Sequence, residues 1–331
     1  MTASDESHGK ASLGKGGGLM GLRRVNSEIA SRLLVLVLLV VIGQAISSSF
    51  LSLENFKVIL LAVAGITVVA FGMTMVVISG EIDLSVAGVA VLSGICGALL
   101  LESQSTALVV AVTLAVGLLL GLVNGVMVAW VGIPSLIATL AMLGIARALA
   151  NIFSRGQAYY PDSLEGFLWL GRGSLLGVPV PIVILAIMAA IALVVTRMTV
   201  FGRKLYATGG NATAARLSGI RTDRVKIVVF MICGFTASLA GILESARLAY
   251  INPAAFPGME LSVLAVTVLG GAALAGGSGS ITGTLLAALI IGVINSLLNQ
   301  MGVSIYLQQV VTALIILAVV LPGLKQRLLA K

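Results

Sequence analysis

Arg197-Met-Thr-Val-Phe-Gly202-Arg203-Lys204-Leu-Tyr-Ala-Thr-Gly209-Gly210-Asn211-Ala-Thr-Ala214-Ala215-Arg216-Leu-Ser218-Gly219-Ile220-Arg221-Thr-Asp-Arg224-Val-Lys226 is a basic, glycine-marked stretch between two apolar runs. It holds seven of the chain's twenty Lys and Arg residues. Each unpaired polar or charged group in hydrocarbon costs several kcal/mol, so this stretch cannot lie in a bilayer. It is the chain's principal aqueous loop.

Outward from that loop the composition changes sharply. Of 331 residues, 59% are hydrophobic and 10% charged, against about 25% charged in an ordinary soluble domain. The solvent for most of the chain is therefore lipid. The net charge of +8 does not indicate nucleic acid, because the basic residues gather at the ends of apolar runs, as they do in cytoplasmic loops. Cys96 and Cys233 sit inside apolar runs, where a free Cys behaves as a small hydrophobe. The only histidine, His8, lies in the polar N-terminal stretch, which removes His-based catalysis and His-rich metal sites.

The expected fold is all-α: a polytopic transmembrane helical bundle. Residues 1–31, rich in Gly, Ser, Lys and Arg, read as a disordered or surface-lying basic tail. A near match to a phosphate-binding loop at Gly9–Gly16 has glycine where magnesium needs Ser or Thr, and no strand precedes it. Residues 32–323 form the transmembrane domain, with 197–226 as its cytoplasmic loop, and 324–331 a cytoplasmic C-terminal tail. Ten apolar runs lie near 32–50, 58–79, 84–101, 106–130, 134–153, 178–196, 226–246, 260–276, 281–300 and 305–323. Each approaches the ~20 residues that cross a ~30 Å core. With both termini in the cytoplasm, fifteen of the twenty basic residues face that side, leaving Lys57, Arg147, Arg155, Arg172 and Arg247 elsewhere. Ten crossings satisfy this orientation, and so do eight with two re-entrant segments.

Glycine usage indicates how the runs pack. Gly117, Gly121 and Gly125 place three small residues along one helix face for a close helix contact within the chain. Two apolar runs are interrupted by small and polar residues, at Ser79-Gly80-Glu81-Ile-Asp83-Leu-Ser85 and at Gly270-Gly271…Gly276-Gly277-Ser278-Gly279. They lie six crossings apart and suggest a weak two-half repeat. Such paired breaks either mark a translocation path or are turns with helix caps, from Asp83 or Ser85 in one and Ser280 or Thr282 in the other.

Candidates for a polar path are Asp83, Ser85, Asn124, Arg147, Asn151, Asn295 and Asn299. Arg147 and Asn151 share a face at i, i+4, as do Asn295 and Asn299. A central Arg costs about 2.5–3.5 kcal/mol to insert, and a structural pair between Arg147 and Glu244 is the favoured compensation. No nucleophile has a base beside it and no metal-ligand cluster is visible, so the chain reads as a transporter and not an enzyme. The intramembrane carboxylates of many ion-coupled carriers are also lacking, so energy is expected from a partner. A passive channel or secondary carrier of small polar solutes is the alternative.

Three runs carry a family resemblance: Gly80-Glu-Ile-Asp-Leu-Ser85, Gly209-Gly210-Asn211-Ala-Thr-Ala-Ala215-Arg-Leu-Ser218-Gly219-Ile220, and Leu269-Gly-Gly-Ala…Gly276-Gly-Ser-Gly279. Together they resemble the permease subunits of ribose-type ATP-binding-cassette sugar importers, over roughly residues 30–323. The resemblance implies an inner-membrane permease with no ATPase site and no cofactor of its own. It also implies a second permease copy or related permease, two cytoplasmic ATP-binding subunits and a periplasmic sugar-binding protein. A short helix matching 209–220 would dock into each ATP-binding subunit, with Gly209, Gly210, Asn211, Ala214, Ala215, Ser218 and Gly219 as coupling residues. The residues themselves support a short helix there: Asn211 or Thr213 caps its start, alanines favour it, and Gly219 suits its end. The flanking Arg203, Lys204, Arg221, Arg224 and Lys226 suit contact with lipid headgroups.

Overall fold

The computed structural model describes residues 16–101, 105–162, 164–304 and 307–314 except 309 and 312, with side chains from residue 29 onward. Seven helices among the described residues are long and apolar enough to cross a membrane. They are α1 (Gly16–Ile46, apolar from Ile29), α2 (Leu53–Ile78), α4 (Thr106–Val126, prolonged by a π turn to Val131), α5 (Ser135–Ser154), α7 (Val180–Met198), α10 (Thr222–Leu248) and α12 (Ile281–Gln300). Two shorter apolar helices follow or precede the breaks: α3 (Val86–Ala98) and α11 (Met259–Leu269). At 1.5 Å per residue they reach only about 20 and 17 Å, too short to span ~30 Å alone. Thus nine of the ten apolar runs are seven spans and two partial ones. Most of 305–323, like 324–331 and 1–15, lies outside the described residues.

Each break has one long and one short helix, in opposite order: the long α2 precedes α3, whereas the short α11 precedes the long α12. α1 starts at Gly16, inside the expected tail, and the sequence from there to Ile46 has no proline to stop it.

α2 is the central element. It is apolar on all sides, and most of it is buried, as expected of a helix surrounded by protein. α10 packs along it, with Phe71, Phe230, Val229 and Cys233 in the shared core. α4 lies on the other side of α10, and there the glycine stripe acts as expected. A Cβ on Gly121 would stand 2.9 Å from Met231 Cα, and one on Gly125 2.8 Å from Ile227 Cα, so only glycine admits this approach. α1 lies at the edge, packed on α12, with Leu34, Val37 and Val41 exposed as a lipid-facing side chain would be.

Between α5 and α7 the chain forms α6 (Glu165–Arg172) and a two-stranded hairpin, β1 (Ser174–Leu175) and β2 (Val178–Pro179). Leu176 and Gly177 both take positive φ, 51° and 80°, which gives the primed turn suited to a two-residue connection. The aqueous stretch after α7 is not one loop with one helix. It folds as α8 (Val200–Gly210) and α9 (Ala212–Leu217).

Candidate functional site

The α8–α9 segment is shaped by caps at each step. Thr199 Oγ1 accepts from the Gly202 N–H at 3.2 Å to start α8. Asn211 Oδ1 accepts from the Ala214 N–H at 3.0 Å to start α9. The end of α9 is a Schellman closure: the Gly219 N–H bonds to Arg216 O, the Ile220 N–H to Ala215 O, and Gly219 takes φ 81°. Arg216 ties α9 to the first turn of α10, through Thr222 Oγ1 at 2.7 Å and Asp223 Oδ1 at 2.9 Å.

Within this segment the expected coupling residues divide. Asn211, Ala214, Ser218 and Gly219 are exposed on α9, whereas Ala215 is 5% exposed and turned into the protein. Gly209 and Gly210 belong to the end of α8 and not to α9. A residue outside the expected set stands out: Leu217 is 86% exposed. A large apolar side chain that open to water on a six-residue helix is the sort of anchor that a partner's pocket takes up.

Gly209 leads inward. A Cβ there would overlap the carbonyl oxygen of Ile78, at the end of α2, and stand 2.6 Å from the Gly277 nitrogen. Gly277 donates its own N–H to that Ile78 oxygen at 2.9 Å. Gly276 and Gly277 both take positive φ, and Cβ atoms on them would lie 2.8 Å from Gly80 Cα and Gly210 Cα. The three glycine motifs, far apart in sequence, therefore meet backbone to backbone at one point.

Side chains brace the same junction. Tyr206 donates to Gly279 O at 2.9 Å; burial pushes its phenol up despite the nearby Arg197, so it stays a neutral donor. Arg197 reaches Thr282 Oγ1 at 3.0 Å. Lys226, on the first turns of α10, pairs with Glu81 in the α2–α3 break at 2.5 Å, both side chains largely buried. Ser280 caps α12 through the Gly283 N–H, and Thr74 on α2 meets Thr284 on α12 at 2.8 Å.

Just beyond Glu81 lies a closed polar clamp. Asp83 Oδ1 accepts from both the N–H and the Oγ of Ser85, at 2.9 and 2.6 Å, so Asp83 shapes the turn while Ser85 makes no cap bond of its own. Asn124 of α4 donates to Ser85 Oγ at 2.8 Å. Ile82 and Leu84 N–H groups are held by Ser135 and Thr139 of α5. Asp83, Ser85 and Asn124 are thus brought together, but all three are at most 1% exposed. They join helices and line no open passage here.

The other path candidates lie elsewhere. Arg147 does not pair with Glu244; it donates to the carbonyl oxygens of Ala255 and Phe256 at 3.3 and 3.1 Å. Glu244 is taken instead by Arg247, three residues on along α10, at 2.6 Å, because one turn of helix puts that pair side by side. Asn151 is exposed and donates to Arg147 O. Asn299 accepts from Gln308 at 2.8 Å, and Asn295 Oδ1 is buried without a hydrogen-bond partner. Seven candidates therefore fall into three separate places. Among the described residues, no three or more His, Cys, Asp and Glu side chains gather where a metal could bind.

Residues 55–320 match the family described as branched-chain amino acid transport system / permease component. The chain belongs to this permease family. The chain is also 41% identical over 299 residues to the ribose import permease protein RbsC of Escherichia coli (strain K12), covering 89% of this chain and 93% of that protein. The Bacillus subtilis (strain 168) RbsC is 38% identical, with 86% and 89% covered. The L-arabinose ABC transporter permease protein AraH of Azospirillum brasilense is 38% identical, with 82% and 80% covered. No solved structure matches the chain. Permeases so similar carry names with different sugars, and the family description names an amino acid, so the shared scaffold does not fix the solute. In this permease, sequence patterns did not single out Leu217 of α9 or Tyr206 of the junction, and Lys226, expected at lipid headgroups, is instead held largely buried by Glu81.

Proposed function

We propose that the chain is the membrane-spanning subunit of an ATP-driven importer and moves a monosaccharide delivered by a periplasmic binding protein. Both termini face the cytoplasm of a bacterial inner membrane, as the distribution of basic residues favours. ATP is bound by a separate cytoplasmic subunit, which grips α9, and a second permease copy completes the membrane portion. Lipid headgroups meet the exposed Arg203, Lys204, Arg221 and Arg224 beside α9, but not Lys226, which Glu81 holds largely buried.

The observation that carries this reading is α9 itself: a short helix closed by caps at both ends, presenting exposed Leu217 outward and joined through Gly209 to Ile78 and Gly277. A partner that pulls on α9 thereby pulls on both helix breaks. The test is uptake of D-ribose and L-arabinose by vesicles holding the chain with its ATP-binding subunit and binding protein. Uptake is expected only with all components and ATP. Sugar flux through the chain alone, in liposomes without ATP, would overturn this in favour of a passive pore or secondary carrier.

A further inference from the structure

α10 is 27 residues long, about 40 Å at 1.5 Å per residue, and its end remote from α9 borders a cavity of about 420 Å³. Gly65 of α2, Glu244 and Arg247 of α10, and Tyr250, Asn252 and Phe256 of the following loop line it. Two further cavities among the described residues, about 330 and 230 Å³, are almost wholly apolar, between α1, α2 and α12 and between α2, α7 and α10. They suit lipid tails. This one has a carboxylate, a guanidinium, a phenol and an amide on its wall.

Those groups keep hydrogen-bonding capacity. Glu244 accepts both Arg247 bonds on Oε2, which leaves Oε1 directed past Gly65, 3.2 Å from where a Cβ would stand. Arg247 uses Nε and Nη2 for that pair, with Nη1 still a donor. The Tyr250 hydroxyl receives the Asn252 amide at 2.6 Å and retains its own proton to give. An ionisable pair in a membrane chain is expected to face a polar cavity.

The wall is also built in advance. The loop after α10 is pinned at Ile251 by two backbone bonds with Tyr159, each 2.9 Å. Arg147 pins it again at Ala255 and Phe256. Ala249 and Phe256 are held at φ 52° and 58°, a conformation that non-glycine residues keep only where their surroundings enforce it. The Tyr250 ring is steadied against Tyr160, centroids 5.5 Å apart. A fixed concave site in the ~300–1,000 Å³ range of small-molecule pockets, with few convergent polar groups and aromatic faces, is the form a ligand site takes.

We infer that this cavity is a subsite for the monosaccharide on its way through the permease, with Glu244 accepting from sugar hydroxyls and Arg247 and Tyr250 donating to them. The inference rests on the monosaccharide-import reading above and adds the place. Both pinning contacts make Arg147 a positioning residue for the loop.

The test labels Ser262→Cys, on the cavity wall, with a water-soluble maleimide in the assembled transporter, subtracting the labelling seen with native Ser262. D-ribose or L-arabinose at ten times its Kd should slow that labelling about tenfold by mass action. Adding Glu244→Gln or, separately, Gly65→Val should remove the protection. Three results overturn the cavity assignment while sugar uptake continues: no protection by a transported sugar, protection that survives both variants, or an introduced thiol that stays unreactive even without sugar. A complex that takes up neither sugar instead overturns the monosaccharide reading, and the subsite with it.

Discussion

The two ends of α10 differ in what packs most closely there. At the α9 end three chain segments meet through bare backbone, with Gly209, Gly276 and Gly277 against Ile78 and Gly80. At the other end side chains join the Tyr159–Ile251 backbone bridge in positioning the 249–258 loop, with Arg147 on two carbonyls and Tyr160 against Tyr250. Backbone packed on backbone leaves no side-chain rotamers to absorb a displacement, so a shift of α8 bears directly on the end of α2 and the loop before α12. Polar side chains around a cavity serve recognition instead. One end suits transmission and the other selection, and the long, buried α2 and α10 join them.

The comparison breaks first at Gly209. Gly209→Val forces backbone apart in all three segments and should cost about 3 kcal/mol, the upper range for overpacking. A drop in the thermal midpoint of the detergent-solubilised protein, together with lost uptake, is the expected result; an unchanged midpoint would mean that the junction is loose. Arg147→Met strips the donors from two carbonyls, worth about 2 kcal/mol, and its effect should stay local. Amide exchange at Tyr159 and Ile251 should quicken about thirtyfold while amides of α8 and α9 that open locally exchange as before; faster exchange spread evenly over the chain would erase the distinction between the ends. Lys226→Met removes one partner of a largely buried pair, so a loss between the ~1 kcal/mol of an exposed pair and the ~3 kcal/mol of a buried one is expected. Denaturation compared with Glu81→Gln and the double variant measures the coupling, and additive effects would show that the pair contributes nothing.

The spans were legible because lipid leaves a chain few options: apolar runs bounded by charge reappear as α1, α2, α4, α5, α7, α10 and α12. The Gly117–Gly121–Gly125 stripe and the Asn211 and Gly219 caps were legible too, since their signals are local. The convergence of Gly80, Gly209 and Gly277 was not, because each motif reads as a turn by itself and only the fold brings them together. Arg147 was assigned Glu244 because sequence shows charges and hides carbonyl acceptors. Leu217 was overlooked for a similar reason: an apolar residue in a polar stretch reads as an inward anchor, and its exposure depends on which way a six-residue helix turns. The Leu176–Gly177 hairpin did carry a signal, a two-residue glycine turn, too brief to be heard beside the spans.

The most direct test of the account is Leu217→Arg. The side chain touches little of the permease, so the variant should insert and melt as the native protein does. It should nevertheless lose at least about 2 kcal/mol of docking energy, the scale of an interface anchor, so that the ATP-binding subunit no longer co-purifies and ATP-driven uptake falls more than tenfold. A Leu217→Arg complex that assembles and imports sugar at the native rate would contradict the claim that α9 is where the partner's stroke enters.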